Sequence, residues 1–97
     1  MADFLYYYLL MQYKIEFTKQ AAKEFLKLPA SVRDTIIKKL KFLAADPGAI
    51  NNNIKKLQGV EDCYRLRIGD YRVIYRIINL KVVIEIIKIG HRQDIYK

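Results

Sequence analysis

Five of the six arginines, Arg65, Arg67, Arg72, Arg76 and Arg92, fall within the last 33 residues, where His91 and Tyr96 join them. A guanidinium is a permanently charged, rigid fork of donors that matches the oxygens of a phosphate. An imidazole exchanges a proton near neutral pH. Together these residue types suit holding a phosphodiester, stabilising negative charge that builds up on it, and moving protons at its oxygens. The basic residues of the first half differ in kind. Lys14, Lys19, Lys23, Lys27, Lys38, Lys39 and Lys41 predominate there beside a single arginine, Arg33, and lysine suits a solvated helix face.

Spacing sorts the arginines by face. In the stretch DCYRLRIGDYRVIYRII, residues 62–78, apolar and basic positions alternate on either side of Gly69-Asp70. Gly69-Asp70 reads as a two-residue hairpin loop with glycine first, as a type II′ turn prefers. That loop pairs Ile68 with Tyr71, Arg67 with Arg72, Leu66 with Val73, Arg65 with Ile74 and Cys63 with Arg76. Because side chains alternate, Tyr64, Leu66, Ile68, Tyr71, Val73, Tyr75 and Ile77 share one face, the core, and Cys63, Arg65, Arg67, Arg72, Ile74 and Arg76 share the other. Arg67 directly across from Arg72 sets like charges roughly 5 Å apart, which costs stability in a sheet. A solvated face partly neutralised by Glu85, Glu61 and Asp62 is one reading of this row. Four arginines on two adjacent strands are better explained by an anion such as an RNA phosphate. Continuing through Asn79-Leu80 places Val83, Glu85 and Ile87 on the same face, where Glu85 could tether Arg72 or Arg76.

The elements that must position this face can be read along the chain. Tyr13 to Phe17 alternates apolar and charged, the period of a half-buried strand. Thr18 stands as an N-cap, and Ala21, Ala22, Phe25 and Leu26 then fall on one helical face. Pro29 interrupts, and Ser31 with Asp34 resembles a capping box opening a second helix, whose stripe of Val32, Ile36, Leu40 and Leu43 runs to Asp46-Pro47-Gly48. Residues 49–61 read as a loop or short edge strand anchored by Leu57, with Lys55 and Lys56 as further RNA-binding candidates beside Arg76. Strands follow at Cys63 to Ile68, Tyr71 to Ile78 and Lys81 to Ile89, after which Gly90 permits a sharp turn. The order is strand-helix-helix-strand-strand-strand, an α+β domain with a helical hairpin packed on one face of a small antiparallel sheet.

Bulk properties agree with one such domain. The 97 residues suffice for one modest core, with residues 13–97 as the domain and 1–12 as an N-terminal extension, either disordered or an upstream start before Met11. The net charge of +8 favours polyanionic or acidic partners. Cys63 is the single cysteine, so no internal disulfide forms and the cytoplasm is the expected compartment. No glycine-rich phosphate loop, zinc-ligand spacing, or Ser/Cys nucleophile with base and acid is visible, so neither cofactor nor metal is expected. The apolar opening is too short to span a bilayer.

The blocks YKIEFTKQAAKEFLKLP, KKLQGVEDCYRLRIGDYRVIYRI and IKIGHRQDIY resemble the RelE/ParE toxin superfamily of toxin–antitoxin pairs, the RelE branch in particular. The resemblance covers Tyr13 to Tyr96. It implies metal-independent cleavage of messenger RNA in the ribosomal A site, by attack of the 2′-hydroxyl on its adjacent phosphodiester. On matching positions, Arg65 and Arg67 occupy sites where relatives place basic residues, and Arg72 that of the phosphate-stabilising arginine. Arg92 matches an arginine acting at the leaving group, and Tyr96 a functional C-terminal tyrosine. The sequence departs from the pattern at Arg67, where some relatives have a proton-moving lysine; arginine is a poor base. His91 is then a candidate for proton transfer. The spacing from Arg92 to Tyr96 is also shorter than in some members. Implied partners are a small acidic antitoxin, the ribosome with mRNA in its A site, and operator DNA only as a complex with antitoxin, without a membrane. The alternatives are a ParE-like inhibitor of DNA gyrase and a noncatalytic nucleic-acid-binding module.

Overall fold

A computed structural model describes residues 12–48 and 51–95. The extension at 1–11 and Tyr96 lie outside the described residues. Strand β1, Lys14–Phe17, alternates exposed and half-buried positions as its sequence dictates. Thr18 is extended, and its Oγ1 accepts the Ala21 N–H at 3.1 Å, which starts helix α1, Lys19–Leu26. Helix α2, Ala30–Ala45, differs from expectation at its start: the N-cap is Pro29, and Ser31 already lies inside. Proline has φ preset near the helical value and lacks the N–H that a first turn would orphan. Its carbonyl accepts from both Val32 and Arg33 at 3.0 Å, so the helix opens before Ser31 can cap it. At the far end Asp46 leaves helical geometry with φ −148°, as a residue before proline tends to.

The remaining strands are β2, Ile54–Lys56; β3, Cys63–Ile68; β4, Tyr71–Ile78; and β5, Val83–His91. They form one five-stranded sheet in the order β1-β5-β4-β3-β2. The four later strands are antiparallel, and β1 joins β5 in parallel, making the sheet mixed. The β3–β4 register is the one the hairpin reading requires, including Arg67 opposite Arg72. Gly69 has φ +58°, a conformation glycine adopts without a Cβ penalty.

Two details of β5 depart from the sequence reading. Residues Asn79–Lys81 form a 3₁₀ turn and Val82 is left-handed, so the strand begins at Val83 and not at Lys81. The Asn79 side chain fastens this turn by accepting from the Tyr13 hydroxyl at 2.6 Å. Further on, Ile74 pairs with Lys88 but Tyr75 pairs with Ile86, which leaves Ile87 as the extra residue of a β-bulge. Val83 and Glu85 therefore keep the expected face, opposite Ile78 and Arg76, but Lys88 takes that face in place of Ile87, and Gly90 falls beside Arg72. Gly90 lies within the strand and not at a turn; a Cβ there would stand 3.4 Å from the Cδ1 of the buried Ile95, an ordinary contact.

Both helices cover the apolar face. Ala21, Ile36, Leu40 and Leu43 pack with Leu66, Ile68, Val73, Tyr75, Ile84, Ile86 and Ile89. No helix among the described residues is long and apolar enough to cross a membrane.

Candidate functional site

With one face sealed by helices, the arginines project from the other. Arg67 is exposed and Arg72 half-buried. Their predicted opposition is real, but the two side chains take different neutral partners. Arg67 donates from Nε and Nη2 to Asn53 Oδ1 at 3.3 and 3.1 Å, across the edge formed by β2. Arg72 donates from Nη1 to the carbonyls of Gly69 and Tyr71 at 2.8 and 2.9 Å, over the hairpin loop. Carbonyl oxygens orient the guanidinium groups without cancelling their charge. The field of the pair is preserved at one end of the sheet.

The end of β5 adds to this corner. The Arg92 N–H donates to the Asp70 carbonyl at 2.7 Å, which brings the C-terminal turn against the hairpin loop. The Arg92 side chain reaches Asp70 Oδ1 at 3.8 Å, a loose and well-exposed pair that an incoming anion can displace. His91 does not share the arginine face: it lies opposite Tyr71 of the core row, ring edge to face, with centroids 5.7 Å apart. Its Nδ1 accepts the Gln93 N–H at 3.2 Å, so the neutral imidazole carries its proton on Nε2. In this arrangement Nε2 is a donor and not a vacant base.

The other candidates separate into two groups. Arg65 shares the outward row, with Lys55 opposite it across β2–β3. Arg76 lies at the far end of the hairpin, four residues along β4 from Arg72, or about 13 Å of strand. There it faces Cys63 on one side and Glu85 on the other. Its hydrogen bond to the Cys63 sulfur, with Glu85 and Asp62 nearby, pushes its pKa further up. Cys63 itself, on the outward row, is buried. Lys56 faces the opposite side from Lys55: it pairs with Tyr64 of the core row and, with Tyr13, Ile54 and Ile77, lines a cavity of about 600 Å³. Among the described residues no group of three His, Cys, Asp or Glu is placed to hold a metal ion.

Sequence reading missed Asn53 and the role of Asp70. The run Asn51-Asn52-Asn53 registers only as loop composition. Nothing local says that β2 would carry one of these amides to Arg67.

The site thus stands on an α+β domain with a helical hairpin on one face of a small sheet and arginines ranked on the other. The family of the ParE toxin of type II toxin–antitoxin systems, parDE, matches residues 15–96, and the chain belongs to this RelE/ParE toxin family. Among curated relatives, the mRNA interferase toxin RelE of Escherichia coli K12 is 39% identical over 85 residues, covering 86% of each chain. The putative toxin RelE1 of Methanocaldococcus jannaschii is 32% identical over 88 residues, covering 90% of this chain and 98% of that one. The fold superposes on RelE in the intact E. coli RelBE toxin–antitoxin complex with a TM-score of 0.72 at 37% identity, covering 81% of this chain and 95% of that one. For the archaeal RelE–RelB complex from Pyrococcus horikoshii OT3 the TM-score is 0.74 at 31% identity, covering 86% and 98%.

Proposed function

We propose that this chain is the toxin of a toxin–antitoxin pair and an endoribonuclease that cuts messenger RNA in the ribosomal A site without a metal ion. The observation that carries this reading is the corner where Arg67, Arg72 and Arg92 converge, the first two held by neutral acceptors. In the reaction the 2′-oxygen bonds to the adjacent phosphorus and the bond to the 5′-oxygen breaks, leaving a 2′,3′-cyclic phosphate and a 5′-hydroxyl. The nucleophile gives up one proton and the leaving oxygen takes one. Positioning and stabilisation of the dianionic phosphorane supply most of what such a step needs.

Arg72, with its fork steadied over the hairpin loop, is assigned to the phosphorane, with Arg67 beside it and Arg65 and Lys55 along the same face for the flanking RNA backbone. Arg92 acts at the leaving oxygen once RNA displaces Asp70. His91, paired with Tyr71 of the core row, turns from Arg72's face, so its part is confined to the rim of the corner, and Tyr96 is the further C-terminal candidate. Arg76 and Lys56 stand apart from this corner and contribute to RNA binding at longer range. The antitoxin is a small acidic protein, consistent with the net charge of +8. Leu26 and Phe42, 68% and 75% exposed on the helices, offer it apolar contacts. Relatives are solved in complex with RelB antitoxins. Operator DNA is engaged only by that complex, and the toxin acts in the cytoplasm.

The test is primer extension on ribosome-bound message after induced expression. Cuts phased with the A-site codon are expected. Because the matching family model is named for ParE, gyrase inhibition is the second reading. Growth arrest with intact message and trapped gyrase–DNA complexes would establish it and overturn the nuclease.

A further inference from the structure

Asn53 grips Arg67 twice. Its carbonyl accepts the Arg67 backbone N–H at 2.7 Å, and its Oδ1 accepts from both Nε and Nη2 of the same residue. The grip is itself anchored, because the Asn53 N–H donates to Asn51 Oδ1 at 2.8 Å in a closed side-chain turn. The Asn53 backbone is therefore held on its N–H side by Asn51 and on its carbonyl side by β3, which fixes the point from which its carboxamide reaches the guanidinium.

We infer that Asn53 is a positioning residue, a neutral tether that fixes which edge of the Arg67 guanidinium faces the RNA; this rests on the nuclease reading above. A guanidinium has five N–H donors in a planar fork. The edge made by Nε and Nη2 would otherwise clasp a phosphate side-on. Here a single amide oxygen occupies it, so the edge left for a phosphate is the end formed by Nη1 and the second Nη2 hydrogen. Asn53 directly precedes β2 and Arg72 lies on β4, so the tether holds Arg67 from the side opposite Arg72.

The neutrality of the tether matters as much as its position. A carboxylate would hold the guanidinium at least as firmly, but it would cancel the charge Arg67 offers and repel the phosphorane at the moment its own charge rises. The loose Asp70–Arg92 pair shows the other arrangement, in which the anion must first be displaced. Asn53 combines the orientation an acid would impose with an undiminished positive field. An arginine at this position is a poor proton acceptor, so its contribution must lie in placed charge, and placed charge is what a tether protects.

The experiment compares Asn53→Ala, Asn53→Asp and Arg67→Ala in the full chain. One readout is single-turnover cleavage on programmed ribosomes, with rate and half-saturation separated. The other is the exchange rate of the Arg67 Nε–H by NMR on the isolated toxin. Asn53→Ala is expected to speed Nε–H exchange and to lower the cleavage rate about tenfold, the size expected for losing a hydrogen bond to a charged group. Half-saturation should move less than the rate. In the Arg67→Ala background the Asn53→Ala change should have no further effect, which a merely structural role for the Asn51–Asn53 turn would not produce. Asn53→Asp should keep slow exchange and still cleave more slowly than the parent. Unchanged exchange and rate in Asn53→Ala, or an additive double variant, would overturn the tether. An Asn53→Asp protein as fast as the parent would overturn its neutrality. A parent protein that leaves message intact would instead overturn the nuclease reading and with it any role for Asn53 in cleavage, while the exchange data would still report whether the grip exists.

Discussion

At the scale of single residues, charge and burial do separate work on the two faces of the same strands. Among the described residues Arg72 donates to the carbonyls of Gly69 and Tyr71 at its own hairpin loop, which water can satisfy once the side chain is gone. Arg72→Ala should therefore fold and bind antitoxin normally, with stability changed by less than about 1 kcal/mol. Its cleavage rate should fall by a factor on the order of 10²–10³, as for removal of one donor to a developing oxyanion. Primer extension alongside a thermal melt checks both halves. On the other face, Tyr75 is fully buried, stacked on Tyr64 with ring centroids 5.5 Å apart, and its hydroxyl has no hydrogen-bond partner among the described residues. Burial, with a smaller contribution from Tyr64, pushes its pKa well above the ordinary tyrosine value. The unfolded chain then releases this proton first. The stability linked to Tyr75 is fully present below about pH 10 and is lost above it, by up to about 1.4 kcal/mol per pH unit. Tyr75→Phe should match or exceed the parent by about 1 kcal/mol at neutral pH, since it removes an unsatisfied buried hydroxyl. It should also flatten the loss of stability above about pH 10, measured by urea titration across an alkaline pH series.

Elements are joined chiefly through β5. Strand β1 covers it only from Val83 to Ile86, and beyond that point helix α1 supplies the missing partners. The Thr18 N–H donates to the Ile86 carbonyl at 2.9 Å and its hydroxyl to the bulge carbonyl of Ile87 at 3.1 Å. The Glu24 carboxylate accepts the Ile89 N–H at 3.0 Å. Thr18 thus caps α1 and closes the bulge with one side chain. Thr18→Ala should cost about 1–2 kcal/mol in chemical denaturation, at the upper end for a cap, and Thr18→Ser should recover most of it. The bulge has a further consequence. It shifts the phase of β5 so that Gly90 lies beside Arg72 and the strand ends at His91, with Arg92 in the turn that follows at the hairpin corner. The helix cap that secures the bulge therefore also helps to place the C-terminal half of the site.

For the molecule as a whole, charge of one sign is spread over both layers, lysines on the helices and arginines on the bare sheet face. Binding to single-stranded RNA should weaken with salt, with a log–log slope of about −0.7 for each phosphate neutralised. Contacts by Lys55, Arg65, Arg67, Arg72 and Arg92 predict a slope of about −3.5 by the same relation. Arg92→Ala should make it shallower by about 0.7, measured by fluorescence anisotropy across a salt series. A slope that does not change would place Arg92 outside the RNA footprint.

The sequence by itself determined the hairpin register, the division of Arg65, Arg67 and Arg72 from the core row, and the two amphipathic helices. Those features follow from local periodicity and from one glycine in a two-residue loop, which act over neighbouring residues. Tertiary structure alone decided that β1 runs parallel to β5, that Ile87 bulges and shifts Gly90 beside Arg72, that Lys56 turns away from Lys55's face, and that Asn53 meets Arg67. Each of these depends on a partner distant in the chain or across a strand edge. The alternation of side chains states which face a residue takes, but not which acceptor waits for it there.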